Sequence, residues 1–306
     1  AGTVEVLHDN WGVPHIYSSD NPAMAFGYGY ATAEDHGELC LSLYAGARCR
    51  TAQYYGGPLG GLAKSLTDRF LLSFGVRKLG EKYYDDASDF ARSIFDAYAA
   101  GFSEYAHTHR ERFSPEGLAV LDDGNITGRD VASHSAFDLQ LFVSTSVFGR
   151  LLSTIDSYGN YTEAQSALAA KIDPTWAIRE YLQGRDARGE FDFLKTASGE
   201  WRPAADPAAM GRLGSNAMAA VREGGGGVLH INPHLVWNIR DLPFQQFDGT
   251  AMTFYETHIE IEGGVEYYGA SLVGMPVMAM GFGKKGGWAH TVNSQTSYSL
   301  YRMTVR

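Results

Sequence analysis

With 306 residues, 44% of them hydrophobic and 20% charged, the chain has the composition of a folded globular protein, long enough for one large domain or two ordinary ones. Its formal charge of −10 is spread out with no basic run, which removes the phosphate-facing surface that nucleic-acid binding needs. No window approaches the roughly 18 consecutive apolar residues of a membrane-spanning helix, and the first residues lack the charged and apolar regions of a signal peptide, so the sequence reads as a mature, soluble chain with no membrane partner.

In chain order, Val4–His8 alternates and, after a turn at Asp9 and Asn10, Trp11–Tyr17 reads as a second strand. Asn21 as N-cap and Pro22 in the first turn open a predicted helix through the Ala-rich segment Ala23–Leu43. Cys40 and Cys49, the only cysteines, are nine residues apart in this helical region and meet only if the helix breaks near Gly46. They are read as two buried thiols and do not decide the redox compartment. Further helices are expected at about 86–108, 130–149 and 174–183 from mixed three- and four-residue apolar spacing. Asn125 and Asn160 open Asn-X-Thr sequons, which matter only in a source that glycosylates.

The character changes after Leu182. Residues 183–214 are rich in Gly, Arg, Asp, Pro and Ala, and Pro203 and Pro207 break any long element, so the stretch reads as a linker or spacer. From Ser215 onward, short β-like runs follow at Ala217–Val221, Val228–Ile231, Thr253–Ile261, Val265–Leu272, Val277–Phe282 and Tyr298–Val305. Gly224–Gly227 reads as a hairpin turn; no Lys-Ser or Lys-Thr follows it, as a phosphate loop would require. The fold class is α+β, with a mostly helical first half.

The segment richest in chemistry is Leu213-Gly214-Ser215-Asn216-Ala217, where the spacer ends and the strands begin. Ile231-Asn232-Pro233-His234, Gly269–Pro276 and Gly287–Val292 follow it, and Trp11–Ile16 and Phe26–Asp35 precede it. In this order the segments resemble the penicillin acylase family of N-terminal-nucleophile (Ntn) hydrolases. The Asn-Pro-His, the Phe254-Tyr255 followed by His258, and the His-Thr-Val at 290–292 are most similar to its acyl-homoserine lactone and aculeacin acylase branch. The resemblance covers nearly the whole chain, although residues 60–210 match only in helical character and length.

The resemblance implies a precursor that cuts itself between Gly214 and Ser215 and sheds part of 185–214, leaving an α-subunit-like segment 1–184 and the start of a β-subunit at 215–306. The chemistry of such a cut is coherent. A serine hydroxyl is a poor nucleophile without a base, and a freed α-amino group, with a pKa near ~7.7–8.0, puts nucleophile and base on one residue. No Ser-His-Asp arrangement or Gly-X-Ser-X-Gly elbow is then needed. Glycine at 214 offers permissive backbone angles at the scissile bond.

By the same resemblance, the backbone N–H of Val292 is one oxyanion donor, and His234 orients or tunes the serine amine; a His after Asn-Pro also serves simply to satisfy a turn. The second oxyanion donor of the family is an asparagine far along the nucleophile subunit, beyond Arg306. The chain is therefore expected to be the N-terminal part of a larger molecule whose partner is the remainder of its own β-subunit. An apolar acyl cleft is implied at Phe142, Val147 and Phe148 from a helix and at Leu235, Leu272, Met275 and Ala279 from the strand half, although such residues are also ordinary core. None of them is charged, which favours an uncharged acyl group. Asn293–Tyr298 holds no carboxylate, against the calcium site of some family members, and His258 between Glu256 and Glu260 is read as strand alternation rather than a zinc ligand. No metal or cofactor is expected.

The resemblance thus implies a four-layer αββα sandwich and hydrolysis of a linear amide in a small N-acyl substrate, with N-acyl homoserine lactones, lipopeptides and penicillins as candidates. A periplasmic or secreted bacterial zymogen is expected. Two alternatives stand beside it: a penicillin-type acylase preferring aromatic side chains, and a non-catalytic secreted binding homologue that stays uncut.

Overall fold

Alternation at the start of the chain becomes two antiparallel strands, β1 (Val4–His8) and β2 (Pro14–Ser18), joined by a turn in which Asp9 Oδ1 accepts from the N–H groups of Trp11 and Val13 at 2.8 and 3.0 Å. The computed structural model describes residues 2–56, 64–65, 68–69, 71–72, 75–136, 214–221, 223, 225–234 and 253–291. The expected helices at 174–183 and beyond 136, the spacer as far as residue 213, and the strand at Tyr298–Val305 lie outside them.

Helix α1 (Asn21–Ala47) is capped by Asp20, whose carboxylate accepts from Ala23 N–H at 2.8 Å. The cap thus falls one residue before the expected Asn21. Both side chains cap well, and Pro22 is as acceptable at the second helical position as at the first, so local chemistry did not separate them. The helix kinks at His36 (φ −134°, ψ 19°) and ends near Gly46, leaving Cys49 at φ 55°. Both cysteines are buried and unpaired; burial pushes both thiols up, Cys49 to about 11, which keeps them protonated and unreactive.

After a short helix α2 (Thr51–Tyr55), the chain forms α3 (Val76–Asp85), α4 (Asp89–Thr108), α5 (Pro115–Asp122) and a helical stretch at 128–136. The helix expected at about 86–108 is α4, which begins at Asp89 because the Ser88 hydroxyl caps it by accepting from Ala91 N–H; α3, just before it, was not expected. Small residues let α1 and α4 meet closely. A Cβ on Gly29 would lie 2.0 Å from the Tyr98 carbonyl oxygen, and one on Gly101 would lie 1.9 Å from that of Phe26.

Most of the remaining described residues form sheets. β5 (Phe254–Ile261), β6 (Glu266–Leu272), β7 (Met280–Gly283) and β8 (Gly286–Trp288) continue from β2 in one six-stranded sheet, ordered β1-β2-β5-β6-β7-β8. The β2–β5 pair is parallel, with Ile16 opposite Ile259; the others are antiparallel. The N-terminal strands therefore join the second half of the chain. The inward residues Ile16, Tyr255, Ile259 and Ile261 share one core with Tyr28, Tyr44, Tyr98 and Phe102 of the helices. Gly27 lets the sheet close on α1, because a Cβ there would sit 2.5 Å from Val4 Cγ2.

Candidate active site

Ser215 is the second residue of β3 (Gly214–Val221), which pairs antiparallel with β4 (Gly227–His234) in a separate two-stranded sheet. The turn between them passes Gly225 (φ 104°) and Gly226 (φ 83°), backbone angles that favour glycine and make the Gly-rich run a hairpin turn as expected. In this register Ser215 faces Pro233 and Gly214 faces His234, so the Asn-Pro-His segment runs directly alongside the Gly214–Ser215 bond. Facing Cα atoms in such a ladder are about 4.5–5.5 Å apart. Two motifs separated in sequence are thus brought together by the hairpin. Leu229 of β4 reaches β8, where a Cβ on Gly287 would lie 2.9 Å from Leu229 Cδ2.

The Gly269–Pro276 segment forms the end of β6 and a buried turn. Met275 N–H closes it onto the Leu272 carbonyl at 3.1 Å, and Gly274 adopts φ 84°. Three helical side chains hold it: the Tyr28 hydroxyl bonds Ser271 Oγ, the His134 Nε2–H donates to Val273 O at 3.0 Å, and the Tyr44 hydroxyl donates to Gly274 O at 3.2 Å. The carbonyl acceptor fixes a proton on His134 Nε2. Leu272 and Met275 are buried at this turn, and Ala279, half-buried, hydrogen-bonds through its N–H to Ala270 O at 2.8 Å. The apolar residue expected to begin a strand at Val277 instead lies in the return of this turn, and the strand starts at Met280. Phe142, Val147, Phe148, Leu235 and Val292 lie outside the described residues.

A cleft of about 810 Å³ opens at the α1 kink, lined by Glu34, Asp35, His36 and Glu38 with Arg112 and Ser114 among others. None of the candidate catalytic or substrate-binding residues lines it, although Ala33, Glu34 and Asp35 at the end of the Phe26–Asp35 segment do. Asp35 accepts from the Tyr255 hydroxyl at 2.5 Å and from His8 Nε2 at 3.4 Å, and His36 packs edge-on against the Tyr255 ring. Burial lowers the His36 pKa, against the opposing effect of Asp35, and burial together with Asp35 raises that of Tyr255. These contacts link the Phe26–Asp35 and Phe254-Tyr255 segments, a connection the sequence did not reveal; inward alternation of Tyr255 on β5 was its only signal. Among the described residues no group of three or more His, Cys, Asp or Glu is placed to hold a metal ion, and no helix is long and apolar enough to cross a membrane.

The Penicillin amidase family model matches residues 3–306. The chain belongs to the penicillin amidase family. This family member is 25% identical over 307 residues to acyl-homoserine lactone acylase PvdQ of Pseudomonas fluorescens, an alignment covering 98% of this chain and 34% of that protein. It is 23% identical over 306 residues to aculeacin-A acylase of Actinoplanes utahensis, covering 97% of this chain and 34% of the relative. It is also similar to a solved thermostable penicillin G acylase from Alcaligenes faecalis, with a TM-score of 0.41 and 22% identity over 57% of this chain and 92% of that one. The chain spans about a third of the length of the curated relatives it matches.

Proposed function

We propose that this penicillin amidase family chain is the N-terminal part of a self-cleaving amide hydrolase whose nucleophile is Ser215. The observation carrying this reading is the β3–β4 register, which sets Gly214-Ser215 against Pro233-His234 within a chain matched by the family from residue 3 to 306. Cleavage before Ser215 frees an α-amino group that accepts the hydroxyl proton; attack on the substrate carbonyl then expels the amine and leaves an acyl-enzyme, which water hydrolyses. Val292 N–H is proposed as one oxyanion donor, His234 as a residue tuning the amine, and 185–214 as the source of the excised spacer. The fold proposed for the whole molecule is the four-layer αββα sandwich.

The named activities of the two acylase relatives support a small N-acyl substrate, with an acyl-homoserine lactone or lipopeptide ahead of a penicillin. Export to the periplasm or medium belongs to the same proposal. A denaturing gel of the full-length product tests it. Two fragments, the larger beginning with Ser215, support the enzyme. One uncut band, with no amide hydrolysis, supports instead the non-catalytic binding homologue.

A further inference from the structure

His15 of β2 and His258 of β5 occupy directly paired positions in the parallel ladder, and their Nδ1 atoms lie 3.2 Å apart. Both side chains are largely covered, at 26% and 14% exposure. A hydrogen bond between two imidazole nitrogens needs one N–H and one lone pair, so it exists only while at least one ring is neutral. Protonating both rings turns the contact into two N–H donors and two positive charges facing each other. We infer that His15 and His258 form a pH-sensitive clasp between the N-terminal strands and the rest of the sheet, closed near neutral pH and opened on acidification.

The surroundings define how the clasp behaves. Each outer nitrogen looks toward a carboxylate: His15 Nε2 lies 3.6 Å from Asp9 Oδ2, and His258 Nε2 lies 3.8 Å from Glu266 Oε1. Turn N–H groups from Val13 and Trp11 lower the Asp9 pKa, and Lys284 lowers that of Glu266, so both carboxylates stay ionised down to about pH 5.0. They welcome the first proton. Against the second, Glu266 is already engaged by Lys284, so its charge is shared. Of the other neighbours, Tyr17 and Tyr268 present rings, Glu256 accepts from the Tyr268 hydroxyl at 2.7 Å, and Glu5 of β1, paired with Tyr17 and diagonal to His15 on the same face, is exposed. Glu260, opposite Tyr17, is exposed on β5 two residues beyond His258.

The clasp does not depend on the proposed cut at Gly214, although that cut would place its two halves on different polypeptides. The test uses the full-length protein and reads unfolding, not activity. In His258→Gln the side-chain amide keeps a bond to His15 in either protonation state of that ring. Between pH 7.5 and 5.0 the wild-type melting temperature should fall by at least about 4 °C more than that of His258→Gln. Equal losses in the two proteins overturn the inference. Should the variant not fold, wild-type amide hydrogen exchange decides the matter within one molecule. Acid should lower protection of the β2–β5 ladder relative to the β5–β6 ladder; parallel loss in both rejects the clasp.

Discussion

Gly29 of α1 and Gly101 of α4 form a reciprocal contact, each placed where the other helix's backbone carbonyl leaves no room for a Cβ. The oxygen of Tyr98 fills the space beside Gly29, and that of Phe26 fills the space beside Gly101. Alanine would gain about 1 kcal/mol of helix propensity at either site. A methyl group about 2 Å from a backbone oxygen costs more, since overpacking costs about 1–3 kcal/mol even where flexible side chains yield. Gly29→Ala and Gly101→Ala are each expected to lower the melting temperature, and the double variant to lose less than the sum, because separating the helices once relieves both clashes. Additive losses in thermal unfolding would refute the shared crossing.

The Tyr28–Ser271 bond predicts a different double-mutant pattern. Both groups are buried, so Tyr28→Phe should cost about 1–3 kcal/mol by leaving the serine hydroxyl without its partner. Adding Ser271→Ala removes the orphan. The double variant should therefore be more stable than Tyr28→Phe alone in denaturant titrations; a further loss would show that Ser271 has another role.

Arg48 joins the end of α1 to the 128–136 helical stretch through a fork to Asp130, at 2.7 and 2.8 Å, and also donates to the carbonyls of Val120, Gly124 and Asn125. Arg48→Met leaves a largely buried carboxylate without its cation and is expected to cost about 3 kcal/mol. Arg48→Lys should recover only part of this, because an ammonium cannot reproduce the planar fork. Equal stability of the lysine variant and wild type would show that charge alone suffices.

His36 gives the cleft a pH signature. Burial depresses its pKa in the folded state below the ordinary value of 6.5. A group depressed on folding contributes stability that is full above its unfolded pKa and is lost as pH falls toward and through its folded value. Stability should therefore decline on acidification from about pH 6.5, and His36→Gln should flatten that slope. An unchanged slope in the variant, measured by thermal unfolding, would remove His36 from the account. This comparison is independent of the His258 variant, since the two histidines belong to separate clusters.

Ser215→Ala should leave the full-length precursor as one band and reduce amide hydrolysis by about 10³-fold or more, as expected when a nucleophile is lost. On the proposed mechanism, the rate should fall below about pH 7, as the amine freed by cleavage becomes protonated. Normal cutting of the alanine variant, seen by intact mass, would reject Ser215 as the processing residue.

What could be read in the sequence was the periodic part. Thr253–Ile261 reads as a strand, and in the structure its alternate residues Tyr255, Ile259 and Ile261 enter the core. The glycine run after Val221 likewise specified the hairpin that puts Ser215 beside Pro233. Val277 was read as strand from its β propensity, yet the turn closed by Met275 and Leu272 holds that stretch until Met280. Periodicity says which face is buried but not what it meets. The crossing at Gly29 and Gly101, the His15–His258 contact and the cleft at the His36 kink are therefore visible only in three dimensions.

The parallel pairing of β2 with β5 also governs the order in which the molecule can be built. His15 and His258 are 243 positions apart, so during synthesis the hairpin of β1 and β2 leaves the ribosome long before the strand that completes its edge. Until then β2 carries an unpaired row of backbone donors and acceptors able to recruit strands from other nascent chains. Contacts this distant in sequence also slow folding, since a long loop must close before any of them forms. A version ending before residue 254 would keep the helices and lose the strand that covers this edge, and aggregation rather than inactivity should be its first symptom.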